Sequence, residues 1–227
     1  MKIELVSYTQ PVKRLQDQGI STPVDLVAYC ARVSNPANQF NNETSEKLVN
    51  YLIRNKHWSP LQMVDMTLEI ETTRDIARQI LRHRSFEFQE FSQRYAVADL
   101  GFEFREARYQ DTKNRQNSTE MDLTDISQKD TYDTWVEYQK RLSEMSSKFY
   151  NWAITNGIAK EVARAVLPEG LVLTRMYMKG SLRSWVHYIE LRSANGTQKE
   201  HRLIAIEAAK VISQVFPIDK IISINNQ

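Results

Sequence analysis

VDMTLEIETTRDIARQILRHRSFEFQEFSQRY, residues 64–95, carries two hydrophobic periods in one stretch. From Val64 to Ile70 apolar and polar residues alternate, which places Met66, Leu68 and Ile70 on one face of a strand. In TRDIARQILRHR the spacing becomes helical: Ile76, Ala77, Ile80 and Leu81 form an apolar stripe, and Arg74, Arg78 and Arg82 recur every four residues on a polar face. Like charges stacked in this way cost about a few tenths of a kcal/mol per pair, so the face is either well solvated or neutralised by an anion or acidic side chains. If Glu90 to Arg94 is extended, Glu90, Ser92 and Arg94 share a face and offer an acceptor, a hydroxyl and a guanidinium fork, the last two suited to a phosphate monoester.

Outward from this stretch, Lys2 to Ser7 alternates like a second strand, and Glu43 to Lys56 carries Leu48, Tyr51 and Leu52 at helical spacing until Ser59-Pro60 stops it, leaving His57 in a short turn. Leu123 to Thr155 reads as the clearest helix and ends at Asn156-Gly157. Its stripe of Trp135, Tyr138, Leu142, Met145, Phe149 and Trp152 is expected to be core or subunit interface. Ile158 to Leu167 reads as a short helix broken at Pro168. Lys179 to Arg192 sets Leu182, Trp185, Val186 and Ile189 opposite Arg183, His187 and Glu190. Thr197 and Glu200 form a T-x-x-E capping box ahead of Leu203, Ile204, Val211, Ile212 and Val215. Asp111 to Asp130, rich in Asn, Thr, Ser and Asp, resembles a mobile surface excursion. The expected fold is α+β: one domain over residues 1–227, with a central, mostly antiparallel sheet packed against helices and a helical C-terminal part.

With 227 residues, 41% of them apolar, the chain can bury a sizeable core. Thirty Lys and Arg against 28 Asp and Glu give a net charge of +2, too weak a global field to argue for nucleic acid or a membrane surface, so any basic site must be local. The N-terminus lacks a secretory apolar run and no stretch approaches a membrane span, which leads us to expect a cytoplasmic protein. A single cysteine, Cys30, excludes an internal disulfide and a multi-cysteine metal site, and no metal is expected. The six glycines form neither a dinucleotide-binding turn nor a phosphate-binding P-loop.

Arg82-His83-Arg84, seven residues, then Ser92 resembles the R-H-R-x7-S signature of flavin-dependent thymidylate synthases, and Gln93-Arg94-Tyr95 resembles its continuation. Ala31-Arg32-Val33-Ser34, His57-Trp58-Ser59-Pro60, Glu161 to Arg164 with Leu167-Pro168, and Arg183 to Arg192 follow the order of that family, so the resemblance covers most of the chain. It implies a dUMP pocket of Gln79, Arg82, Glu90, Phe91, Ser92, Gln93, Arg94 and Arg164, drawn from more than one subunit of a homotetramer, with Arg94, Ser92 and Arg164 on the phosphate. It implies FAD contacts from Ser59, Arg82, His83, Arg84, Glu90, Ser181, Arg183 and His187. Arg192 would lie beside the uracil as the catalytic cation that promotes its ionisation. The implied reaction converts dUMP to dTMP with 5,10-methylenetetrahydrofolate as carbon donor and NADPH reducing FAD, and releases tetrahydrofolate.

Glu87 and Gln89 stand where many members carry serine and asparagine, His187 and Ser181 where asparagine is common, Gly196 where histidine is frequent, and Gln62 where glutamate is common. These departures surround the flavin and its folate-facing side. They leave open a dUMP-binding relative without flavin turnover. A single-stranded nucleic-acid module is the reading from a different class, with Arg74, Arg78, Arg82, Arg84 and Arg94 on phosphates and Phe86, Phe88 and Phe91 stacking bases. The implied chemistry needs no protein nucleophile, so Cys30 is expected to be a small buried residue. Replacing Cys30 with Ala should therefore leave dTMP formation intact in an activity assay, whereas abolition would point to a cysteine-dependent synthase.

Overall fold

The computed structural model describes residues 1–219; the last eight residues of the expected 1–227 domain lie outside that description. Strand β1 (Lys2–Tyr8) leads through a single turn of helix, α1 (Lys13–Gln16), to α2 (Pro23–Ala31) and α3 (Ser45–Arg54). Strand β2 (Asp65–Thr73) runs straight into α4 (Arg74–Ile80), followed by β3 (Glu87–Glu90) and the strands β4 (Arg108–Gln110) and β5 (Ser118–Glu120) of a separate hairpin. The long α5 (Ile126–Thr155) and short α6 (Lys160–Ala163) precede β6 (Leu173–Ser181), which hands on directly to α7 (Leu182–Arg192) and then α8 (Lys199–Ser213). This is an α+β fold.

The main sheet has the order β1-β2-β6-β3, antiparallel throughout. Leu68 pairs with Met178 and Ile70 with Met176, so the period-two side chains of both strands fall on the same face. Met66, Leu68, Ile70, Met176 and Met178 are at most 1% exposed. The opposite face is wet: Arg175 pairs with Glu71 at 3.1 Å and Glu69 at 3.5 Å. Over the dry face lie Trp185, Tyr188 and Ile189 of α7 and Ile204, Ala208 and Ile212 of α8, all buried. Phe86 meets Trp185 edge-on at 4.9 Å, and the Trp185 indole N–H donates to the Met66 carbonyl. Strand β6 escaped the sequence reading, although LTRMYMKGS alternates: Thr174, Met176, Met178 and Gly180 are buried between exposed Arg175, Tyr177 and Lys179. Helix α2 escaped it too, although T-P-V-D forms a capping box in which Thr22 Oγ1 accepts from the Asp25 N–H and Asp25 accepts from the Thr22 N–H.

Several expectations are corrected. Lys179–Arg192 is not one helix; the strand continues to Ser181, whose hydroxyl caps α7 by accepting from the Ser184 N–H. The Thr197–Glu200 capping box does not form, because the cap residue is Gln198 and Glu200 is drawn instead to Arg108 at 2.6 Å. The segment 111–130 holds β5, and Asp125 caps α5 by accepting from the Ser127 and Gln128 N–H groups. Residues 158–167 give only α6 and a tighter turn at Arg164–Val166. The α5 stripe is not core of this chain: Trp135 is 42% exposed, Trp152 61%, and Tyr138, Leu142, Met145 and Phe149 lie between them. The inward face of α5 is small and polar instead, with Gln139 donating to the Arg105 carbonyl, Ser146 to the Val166 carbonyl, and Tyr150 accepting from the Ala98 N–H.

Gly180 is required by close packing, since a Cβ there would stand 2.4 Å from the Phe86 ring. Gly180→Ala should lower the thermal unfolding midpoint through about 1–3 kcal/mol of overpacking; an unchanged midpoint would mean that the ring yields freely.

Candidate active site

Helix α4 ends at Ile80, so Arg82 is not stacked on Arg74 and Arg78 as the spacing suggested. The arginine ladder is taken apart by remote carboxylates. Arg74, 7% exposed, sits 3.3 Å from Glu90, which also accepts from the Thr174 hydroxyl; Arg78 Nε donates to Glu169 at 2.8 Å. Acidic side chains thus offset Arg74 and Arg78, although Arg78 stays exposed, and no stacked arginine track is built. Phe86 is buried in the core, and Phe88 packs partly buried against it, so the base-stacking platform of the nucleic-acid reading is missing.

The extended run also stops early. Beyond Glu90 the Phe91 N–H still bonds the Arg175 carbonyl, but Ser92 to Ala96 turns, with the Tyr95 and Ala96 N–H groups donating to the Ser92 carbonyl. Ser92 Oγ accepts from the Arg94 N–H, and the Arg94 guanidinium swings to Glu161 at 3.2 Å. Glu90, Ser92 and Arg94 therefore do not share a strand face.

The turn nevertheless builds a pocket. A cavity of about 240 Å³ is lined by Arg74, Arg78, Gln93, Glu161, Arg164 and Glu169 among others. Gln93 Nε2, on a residue only 3% exposed, is buried there without a hydrogen-bond partner, and Arg74 Nη1 has only its 3.3 Å ion pair with Glu90. Leaving a buried donor unsatisfied costs about 1–3 kcal/mol, so a ligand that accepts from Gln93 is favoured by that amount. Three guanidinium groups line the cavity with Glu161 and Glu169, while Glu90 pairs with Arg74.

A second cluster forms where the turn after α4 meets the end of α7. Arg192 Nε donates to His83 Nε2 at 2.9 Å, and the His83 ring stands edge-on to Tyr188 at 4.9 Å. Burial first, and Arg192 second, push the His83 imidazole down to about 4. His201, wholly buried on α8, bonds Gln79 through Nδ1 and Tyr188 through Nε2, and burial pushes it down to about 3. Both rings are therefore neutral, and Arg192 is the local cation.

The expected flavin residues divide between places. Ser181, Arg183 and His187 line a cavity of about 580 Å³ together with Gln62, Ser85, Glu87 and Lys179. Its hydroxyls, guanidinium and ammonium fit the oxygen-rich phosphates of a dinucleotide cofactor; Asp65 and Glu87 are the two unfavourable charges, and Glu87, 3.9 Å from Lys179, is locally offset. Ser59 starts a neighbouring turn, tied in by Trp58 stacking on His187 at 4.3 Å. Arg82, His83, Arg84 and Glu90 lie outside that lining. Gly196 has φ +97, a conformation in which a histidine side chain would be strained, so the departure there follows from the backbone. Cys30 is half-buried on α2, and burial raises its thiol, away from a reactive thiolate. Tyr188, Gln198 and His201 had no signal beyond core spacing, which reads a lone buried histidine as structural.

The fold and the site define an α+β protein with an arginine-lined cavity and a separate arginine–histidine cluster. Comparison with known proteins narrows the class. The family model described as thymidylate synthase complementing protein matches residues 15–218. A probable flavin-dependent thymidylate synthase of Paramecium bursaria Chlorella virus 1 is 48% identical over 217 residues, covering 96% of both chains. The flavin-dependent thymidylate synthase of Synechocystis is 50% identical over the same length and coverage. In fold, the chain matches the UMP/dUMP methylase PolB from Streptomyces cacaoi bound with 5-Br UMP at a TM-score of 0.77 and 23% identity, covering 96% of this chain and 91% of that one. The chain belongs to the thymidylate synthase complementing protein family, that of the flavin-dependent thymidylate synthases.

For a histidine lowered from 6.5 to about 4, the unfolded state binds more protons between those values, so stability is fully present above pH 6.5 and is lost on acidification toward 4. The thermal midpoint should fall over this window, and less steeply in His83→Gln; a variant falling just as steeply would contradict the buried neutral imidazole.

Proposed function

We propose that this chain reductively methylates dUMP to dTMP, with the methylene taken from 5,10-methylenetetrahydrofolate, the hydride from FAD reduced by NADPH, and tetrahydrofolate released. The observation that carries the reading is the buried, unpartnered Gln93 Nε2 in a cavity lined by Arg74, Arg78 and Arg164. A nucleotide monophosphate dianion satisfies that donor and offers its oxygens to the guanidinium groups around it. Arg94, ion-paired with Glu161 of the cavity lining, joins Arg164 on the phosphate once Glu161 gives way.

Arg192 acts on the base. Its Nε is committed to His83, which fixes the guanidinium plane and leaves the forked Nη end to meet the negative charge that develops on an ionising pyrimidine. His83 serves this purpose only while neutral, because a second N–H at Nε2 would repel Arg192. Ser181, Arg183 and His187 would hold FAD, which supplies the hydride that completes the methyl group. Phosphate pocket, arginine–histidine cluster and flavin-facing cavity occupy three places in one chain. The exposed apolar stripe of α5 supports assembly with other copies, as a homotetramer that completes each site from more than one subunit.

The purified protein should be yellow, with flavin bands near ~450 nm, and should form dTMP only when dUMP, methylenetetrahydrofolate and NADPH are all present. A colourless protein that binds dUMP but never forms dTMP would sink the enzymatic reading and leave a nucleotide-binding relative. Arg164→Ala should weaken dUMP binding about tenfold or more in calorimetry, from the loss of a charged hydrogen bond, with little change for deoxyuridine. Equal weakening of both ligands would contradict a phosphate role for that pocket.

A further inference from the structure

Six side chains form one continuous hydrogen-bonded line from the β4–β5 hairpin to the core. Arg108 Nη2 donates to Glu200 at 2.6 Å, and Gln198 Nε2 donates to the other Glu200 oxygen at 2.9 Å. Gln79 Nε2 donates to Gln198 Oε1 at 2.8 Å. His201 Nδ1 lies 3.2 Å from Gln79 Oε1, and its Nε2 lies 3.1 Å from the Tyr188 hydroxyl.

The direction of every bond in this line follows from its charged end. A carboxylate only accepts, so Gln198 must turn its NH2 to Glu200 and its oxygen to Gln79. Gln79 must then turn its NH2 to Gln198 and its oxygen to His201. That oxygen needs a donor, so His201 carries its proton on Nδ1, and its bare Nε2 accepts from the Tyr188 hydroxyl. Glu200 stays ionised: burial alone would raise it, but Arg108 and the amide donors hold it below the ordinary carboxylate value. A neutral His201, as its burial dictates, is the form this line requires.

We infer that this polarised line locks the carboxamide of Gln79 in one orientation and thereby makes His201, Gln198 and Glu200 positioning residues for pyrimidine selection. The inference rests on the proposed role of Gln79 as a dUMP contact. Half-buried Gln79 keeps one lone pair on Oε1 and one N–H on Nε2 beyond those used in the line. Uracil matches that pair, offering N3–H beside a carbonyl. Cytosine, with a bare N3 beside an amino group, needs the amide reversed. Reversal would set oxygen against oxygen at Gln198 and N–H against N–H at His201, so the line rejects cytosine through groups that never touch the base.

The test uses the full chain with FAD, titrated with dUMP and with dCMP, in the wild type, Glu200→Gln and His201→Phe. Glutamine at 200 can present either end, so the preference for dUMP over dCMP should fall roughly tenfold or more while affinity for inorganic phosphate is retained. Ring 15N shifts of His201 should report the proton on Nδ1 in the wild type and a mixture of tautomers in Glu200→Gln, a readout that stands even if His201→Phe fails to fold. A wild-type proton on Nε2, or an unchanged dUMP:dCMP ratio in a folded Glu200→Gln, would overturn the inference. A wild type that binds neither nucleotide would instead overturn the dUMP reading beneath it.

Discussion

The structure depends on the burial of one face of a single strand pair. Met66, Leu68 and Ile70 of β2 and Met176 and Met178 of β6 are locked opposite one another and shut from water by α7 and α8. A one-residue slip in that register would turn every one of these side chains outward and bring Glu69, Glu71, Arg175 and Tyr177 into the core, so the register is strongly determined. Both strands continue without a loop into helices, Thr73 into Arg74 and Ser181 into Leu182. The sheet thus fixes where α4 and α7 begin, and their lengths fix where His83 and Arg192 end up. The 2.9 Å bond between those two residues is a consequence of strand register.

Electrostatics then separates the arginines by use. Arg78, Arg105 and Arg108 are matched by Glu169, Asp75 and Glu200. Arg74 Nη1 stands 3.3 Å from Glu90, and Gln93 beside it keeps a buried N–H without a partner. A buried group left unsatisfied in a folded protein calls for an explanation. Around His83 and His201 the logic is reversed: burial keeps both imidazoles uncharged, so that one positive group, Arg192, dominates the cluster.

The strands β1 and β2 and the helices of the C-terminal part were legible because period and residue type agree locally with the fold. Where they failed, a distant partner decided. Glu200 has the spacing of a capping residue but is claimed by Arg108, ninety-two residues away. Arg74, Arg78 and Arg82 have the spacing of one helical face, but the helix ends before Arg82 and two carboxylates from elsewhere divide the rest. The stripe on α5 has the composition of a core, yet the helix turns its glutamine and serines inward because they satisfy carbonyls of the segments it covers. Strand β6 was missed for a different reason, since its methionines and central tyrosine blur an alternation that burial makes plain. The proposed flavin residues Ser59, Ser181, Arg183 and His187 are scattered along the chain, so periodicity alone does not group them.

The most direct test of the account is a single-turnover experiment with enzyme-bound reduced flavin, dUMP and methylenetetrahydrofolate, in which the folate product is identified. The account predicts one dTMP formed for each flavin oxidised, with tetrahydrofolate as the folate product. Dihydrofolate in equal amount, with the flavin still reduced, would show that the hydride comes from the folate and would contradict it.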